Sequence, residues 1–196
     1  MCGIAGLIHR GKSSNVGSEL QQMLQALKHR GPDSTGYALY AENDGKNFIM
    51  RFKVGENVGE GSTSVNEDDS VYDERRKLVD KMLNELGATV VKQDKLTPYS
   101  FRYEIQFDKD LMEFSKKIES IENVEILSIG KSLELIKDLG DAKVVSDRYG
   151  LGNVKGTHAI GHARMATESG VDIKSAHPFW GYPFSDVSVV HNGQLT

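Results

Sequence analysis

The sequence predicts an α+β protein, and three observations carry that prediction. Short β-branched or alternating stretches recur along the chain, and leucine patterns at helical spacing lie between several of them. A Gly-, Ser-, Asn- and acid-rich stretch over residues 55–70 then sets off a block with its own rhythm. At 196 residues the chain suits one domain carrying a sizeable insertion. A formal net charge of −4 leaves no basic field for nucleic acid, and no run of 18 apolar residues is available to span a membrane. The single cysteine precludes an internal disulfide, and no secretory signal pattern opens the chain, so the expected location is cytoplasmic.

Residues 2–9 alternate weakly around small side chains and read as a buried strand. Leu20, Met23, Leu24 and Leu27 then fall at helical spacing, which predicts a helix over 16–28 stopped by Gly31 and Pro32. The turn-rich segment 29–36 is a loop feeding a strand over 37–41, and Asn43-Asp44-Gly45-Lys46 reads as a hairpin turn into a second strand over 47–54. Beyond the 55–70 connection, Leu78, Val79, Met82, Leu83 and Leu86 mark a helix closed by Gly87, followed by a β-branched run at 88–91. Phe101, Tyr103, Ile105 and Phe107 alternate with polar residues and predict a strand over 100–107. A helix over 110–121 and a strand over 124–129 complete the block. With 48–54 as a lead-in, its order suits an inserted ferredoxin-like α/β subdomain over residues 71–130. Residues 132–139 read as a short helix stopped by Gly140, and 141–156 as connection. Core strands are expected over 157–167 and 187–193.

Four polar stretches in the outer parts of the chain could carry chemistry. Cys2 becomes the terminal residue if Met1 is removed, and a free α-amine could then serve as base for its own thiol. A small buried hydrophobe at the start of a strand is the alternative for the same residue. Arg164 sits among apolar and small residues, where a guanidinium needs an acceptor. That acceptor is either a substrate carboxylate or an internal partner such as Asp33 or Glu168. Asn192-Gly193 after a strand is a turn, or else a side-chain amide and an N–H set to hold an oxyanion. His158 and His162 would point to one face of a strand roughly 13 Å apart, a poor start for a metal site with His177 or His191.

Taken together, Met1-Cys2-Gly3-Ile4-Ala5-Gly6, the 29–36 turn, Gly161-His162-Ala163-Arg164-Met165-Ala166-Thr167, Ala176-His177-Pro178 and His191-Asn192-Gly193 resemble a class II glutamine amidotransferase, a glutaminase of the amino-terminal-nucleophile (Ntn) type. The insertion and the wording around Arg164 are most similar to the separate amidotransferase subunits of glutamate-synthase-type systems. The resemblance implies a four-layer αββα Ntn-hydrolase fold, an antiparallel sheet sandwich between helices, with the host domain discontinuous over 1–54 and 150–196 and connections at 55–70 and 131–149. It implies Cys2 as nucleophile and Asn192 with Gly193 as oxyanion donors. Arg164, Thr167 and His177 would bind glutamine, and Arg30 and Asp33 would brace a loop over the site. The expected partners are glutamine and a flavin-dependent synthase subunit that consumes the ammonia; no cofactor motif occurs in the chain itself. The family holds the substrate α-amine with an aspartate downstream of the Asn-Gly motif, so the domain is expected to be incomplete at its carboxy end. A reading from another class is a regulatory subunit with a relic glutaminase site and a partner-binding insertion.

Overall fold

Residues 2–30, 32–55, 68–165 and 176–192 are described in a computed structural model. In chain order the elements are β1 (Gly3–Ile8), α1 (Val16–Gln25), a 3₁₀ turn (Lys28–Arg30), β2 (Ser34–Ala41), β3 (Phe48–Lys53), α2 (Asp69–Leu86), β4 (Thr89–Lys95) and β5 (Ser100–Gln106). They continue with α3 (Leu111–Ile118), β6 (Glu125–Gly130), β7 (Leu133–Leu139), α4 (Ala142–Tyr149), a second 3₁₀ turn (Leu151–Asn153), β8 (Gly156–Arg164), β9 (Phe179–Trp180) and β10 (Ser188–Val189). The protein is α+β with antiparallel sheets. One sheet has the order β1-β8-β2-β7, a second β4-β5-β3-β6, and β9 pairs with β10.

The first sheet is covered on one face by α1 and α4. Alternation places Tyr37 and Leu39 of β2, Ile136 of β7 and Ala159 of β8 toward Leu20, Leu24, Val145 and Tyr149 of those helices. The other face carries Ala38, Leu133 and Leu135, which pack with Leu127 and the half-buried Trp180. In the second sheet, Met50, Phe52, Phe101, Tyr103 and Ile105 meet Val79 and Leu83 of α2 and Phe114 and Ile118 of α3. Among the described residues, no helix is long and apolar enough to cross a membrane.

Several segments depart from the sequence expectations. Asn43-Asp44-Gly45-Lys46 does form a tight turn, with the Asn43 and Asp44 side chains accepting from the Gly45 and Lys46 amides, but it is no hairpin. Strands β2 and β3 enter different sheets, because β3 is taken up on both sides by β5 and β6. Residues 133–139 are a strand and not a helix. All seven are buried, and Glu134, Lys137 and Asp138 hide the period-two pattern because each finds a partner from another element; pairing with β2 overrides the helical preference of Leu, Glu and Lys. Residues 142–149, expected as connection, form α4, capped by the Asp141 carboxylate on the Lys143 and Val144 amides and ended by Gly150 in the left-handed conformation. The expected core strand over 187–193 is reduced to Ser188–Val189, because its partner is the two-residue β9 and Val187 and Val189 stay about half exposed. Residues 56–67, and the end of the strand expected over 157–167, lie outside the described residues.

The open face of the second sheet packs on β7 through buried charge. The Glu134 carboxylate accepts from Arg51 Nε at 2.8 Å and from a second Arg51 nitrogen, and from Arg102 at 2.9 and 3.0 Å. Burial would raise the Glu134 pKa, but the two guanidinium groups hold it below the ordinary carboxylate value. Nearby, Asp138 accepts from the hydroxyls of Tyr99 and Tyr149 and from Arg148, which ties β5 and α4 to the same strand. Replacing Glu134 by Ala leaves the buried Arg51 and the half-buried Arg102 without their shared carboxylate and should lower the unfolding free energy by about 3–5 kcal/mol, read by urea titration. Since the folded pKa is depressed, the Glu134 contribution is present above the ordinary carboxylate pKa and lost as pH falls through the folded value. The acid limb of the stability curve should therefore flatten in the variant.

Candidate functional site

The site follows from the register of three strands. β1 pairs with β8 with Gly3 opposite Ala163, and β2 pairs with β8 with Ser34 opposite Arg164. The Cβ direction of Gly3 runs into Leu27 on the α1 side, so continuing the alternation puts Cys2 on the opposite face, shared with Arg164, His162 and Ser34. Asp33 is joined to the same end of the sheet, its amide donating to the Arg164 carbonyl at 2.8 Å and its carbonyl accepting from Gly140 at 3.0 Å. Cys2 is half-buried and its Sγ lies 3.8 Å from the Met165 carbonyl. Arg164 is also half-buried.

Residues 176–192 lie over this face. The His177 carbonyl presses on β2 at Gly36, where an added Cβ would come within 1.9 Å of it; the close approach requires glycine. Trp180 packs against the apolar clusters of both sheets, Tyr182 donates to the Met112 carbonyl at 3.2 Å, and the Ser188 and Tyr40 hydroxyls are 2.9 Å apart. The strongest tie is Asp186. Its carboxylate accepts from the amides of Lys131, Ser132 and Leu133 and from the Ser132 hydroxyl, at 2.7–3.0 Å, and thereby caps the β6–β7 turn. Partial burial opposes the charge, yet these donors hold the Asp186 pKa below the ordinary value. Gly130 makes the room, since a Cβ there would lie 2.6 Å from Asp186 Oδ1.

Six residues beyond this clasp, Asn192 Nδ2 donates to the Cys2 carbonyl at 3.2 Å. Positions 190 apart in sequence therefore meet, and the second amide N–H of Asn192 remains available beside the thiol residue. The rings of His162 and His177 lie 4.8 Å apart between centroids, and His177 lies 6.4 Å from His191. Burial, the neighbouring His177 and the Arg164 charge push the His162 pKa down to about 4, and burial with the His191 and Lys137 charges lowers that of His177. Among the described residues, no group of three or more His, Cys, Asp or Glu side chains is arranged to hold a metal ion.

Of the residues singled out from sequence, Cys2, Asp33, Arg164, His177 and Asn192 thus gather at one end of the first sheet. Thr167, Gly193 and the side chain of Arg30 lie outside the described residues. Asp186 and Lys137 carry no sequence motif, and Ser34 lies in the 29–36 motif without standing out there; only the contacts reveal them. A pocket lined by Asn43, Asp44, Asn47, Ile49, Arg102 and Glu104 shares no residue with this cluster.

A thiol, a carboxamide donor and a guanidinium on one face suit nucleophilic attack on a carbonyl substrate that carries a negative charge. Residues 1–56 match the glutamine amidotransferase domain family. The whole chain is 37% identical to a protein of Methanothermobacter thermautotrophicus named as a glutamine amidotransferase, over 62% of that protein. It is also 31% identical to the glutamine amidotransferase-like protein GlxB of Rhizobium meliloti, again over the whole chain and 60% of the relative. The chain spans about three fifths of the length of these curated relatives. The matches support a glutamine amidotransferase domain.

Two measurements probe the site as folded. The His162 pKa is depressed from 6.5 to about 4, so between these values the unfolded chain binds more protons. Stability should be full above about pH 6.5 and fall toward pH 4, and His162→Phe should reduce that slope in urea titrations taken at intervals of pH. Asp186→Ala strips a charged acceptor from the β6–β7 turn and should lower stability by about 2–3 kcal/mol, measured in the same way.

Proposed function

We propose that this chain is a class II glutamine amidotransferase domain of the Ntn type, which hydrolyses the side-chain amide of glutamine at Cys2. The observation that carries this reading is the contact of Asn192 with Cys2 across the whole length of the chain, on the sheet face that also holds Arg164. The names of the relatives support glutamine as substrate.

In this reading the α-amine exposed by removal of Met1 accepts the thiol proton, directly or through a water, and Cys2 Sγ adds to the substrate Cδ carbonyl. Asn192 and the Gly193 N–H donate to the resulting oxyanion. Collapse of the tetrahedral intermediate breaks the C–N bond, the α-ammonium returns its proton to the leaving nitrogen, and ammonia departs from a γ-glutamyl thioester. Water adds to the thioester, and glutamate and the free thiol are released. Arg164 binds the substrate α-carboxylate, with Thr167 and His177 lining the pocket and Arg30 and Asp33 bracing the loop above it.

Residues 1–54 and 150–196 make up the glutaminase portion of an αββα sandwich in this proposal. Residues 71–130 form the ferredoxin-like insertion, with β3 as its lead-in strand from the host portion, supported by the βαββαβ order from β3 to β6 and the sheet order β4-β5-β3-β6. The ammonia passes to a separate synthase subunit of the glutamate-synthase type, and the flavin belongs to that partner.

Intact-mass analysis should show loss of Met1, and a glutamine-like diazoketone should add one equivalent at Cys2 with loss of glutaminase activity. An active protein that retains Met1 would overturn the terminal-base mechanism. Asn192→Ala should lower kcat for glutamate release on the order of 10²- to 10³-fold with folding unchanged, as for other single oxyanion donors. An effect under about threefold would remove Asn192 from that role.

A further inference from the structure

On the sheet face that carries Cys2, several buried polar atoms have no hydrogen-bond partner among the described residues. They are Ser34 Oγ, both ring nitrogens of His162 and Nδ1 of His177. Ser34 is fully buried and His162 is 1% exposed. Register makes the first two diagonal neighbours, since Ser34 opposes Arg164 and His162 opposes Gly36 on the paired strand. His162 also lies opposite Ile4 of β1, two residues from Cys2. His177 lies over the same strands, its carbonyl against Gly36 and its ring 4.8 Å from the His162 ring between centroids.

A buried hydroxyl and imidazole nitrogens left unpaired are costly, and apolar side chains would carry no such cost. Neighbouring unpaired polar groups of this kind are the partners a buried water takes. We infer that Ser34, His162 and His177 form a cradle for one small neutral hydrogen-bonding molecule beside Cys2, water in the resting site and ammonia once an amide has been cleaved there. The ammonia half rests on the glutaminase reading; the cradle itself does not.

The surrounding charge selects the neutral form of that molecule. After burial, the largest influences on the two rings are Arg164, Lys137, His191 and each other. Lys137 is buried across the sheet from Gly36, paired with Glu125 at 3.0 Å and lying over the Phe179 ring. An ammonium ion would face these cations. Ammonia or water can instead donate to an unprotonated imidazole nitrogen and accept from the Ser34 hydroxyl. No bond is made or broken in the cradle.

Two measurements on the intact chain decide the matter. A high-resolution crystal structure should show density within hydrogen-bond distance of both Ser34 Oγ and a His162 ring nitrogen; a dry site there overturns the cradle, whatever the catalytic status of the chain. In the second, hydroxylamine serves as a neutral amine probe during glutamine turnover, and the ratio of γ-glutamyl hydroxamate to glutamate is followed. The ratio should saturate with hydroxylamine and fall about three- to tenfold in His162→Leu, the worth of one neutral hydrogen bond. Ser34→Ala provides the same reading if the leucine variant does not fold. A ratio linear in hydroxylamine and equal in the variants removes ammonia as an occupant. If the unaltered chain takes no diazoketone at Cys2 and releases no glutamate, the glutaminase reading falls, and the crystal structure still settles the cradle.

Discussion

Strand β8 is hydrogen-bonded along both edges, to β1 on one side and β2 on the other, and every feature of the candidate site depends on that double register. It sets Cys2, Ser34 and Arg164 on one face at one end of the sheet. A slip of one residue on either side would send that strand's side chains to the helix-covered face. The pairing is defended by what lies behind it: Ala159, Gly161 and Ala163 are small, so α1 packs closely, with Leu20 and Leu24 against the Gly161 backbone. The face that carries Cys2 is polar at that end only, since farther along it Ala38, Leu133 and Leu135 pack with Leu127 and Trp180.

The second half of the site is tied to this frame by a segment with little regular structure of its own. Residues 176–192 form only the short β9–β10 pair, and polar and close-packed anchors replace a ladder of strand hydrogen bonds. The Asp186 clasp is the firmest of these and grips the turn joining β6 to β7, the point where the chain passes from the second sheet back to the first. Asn192 is thereby tied to the turn that leads out of the second sheet. The buried carboxylates of Glu134 and Asp138 on β7 join the second sheet to the first through Arg51, Arg102 and Tyr99.

Cations lie close to the two buried imidazoles of the site face. Arg164 and Lys137 flank two imidazoles that burial keeps unprotonated, which suits an anionic substrate group at the rim and neutral small molecules beneath. Such an arrangement is costly unless something occupies the unpaired ring nitrogens, and the same cost makes the fold sensitive to acid.

Much of the local structure was legible in the sequence, because helices such as α1 and α3 and the strand β5 advertise one apolar face at a single period. That single period fails where both faces are buried: β7 hides its alternation behind Glu134, Lys137 and Asp138, whose partners come from other elements. The turn at Asn43–Lys46 carries the signal of a hairpin, but tertiary pairing sends its two strands to different sheets. Arg164 stood out by its setting among apolar and small residues, whereas Cys2 and Asn192 gained weight from the combination of motifs in order along the chain. By itself, then, the sequence determined which groups are available and most of the elements that carry them. Tertiary structure decided which groups meet, since strand register, the Asp186 clasp and the buried cradle of Ser34, His162 and His177 are contacts between distant segments, and local propensity does not encode such contacts.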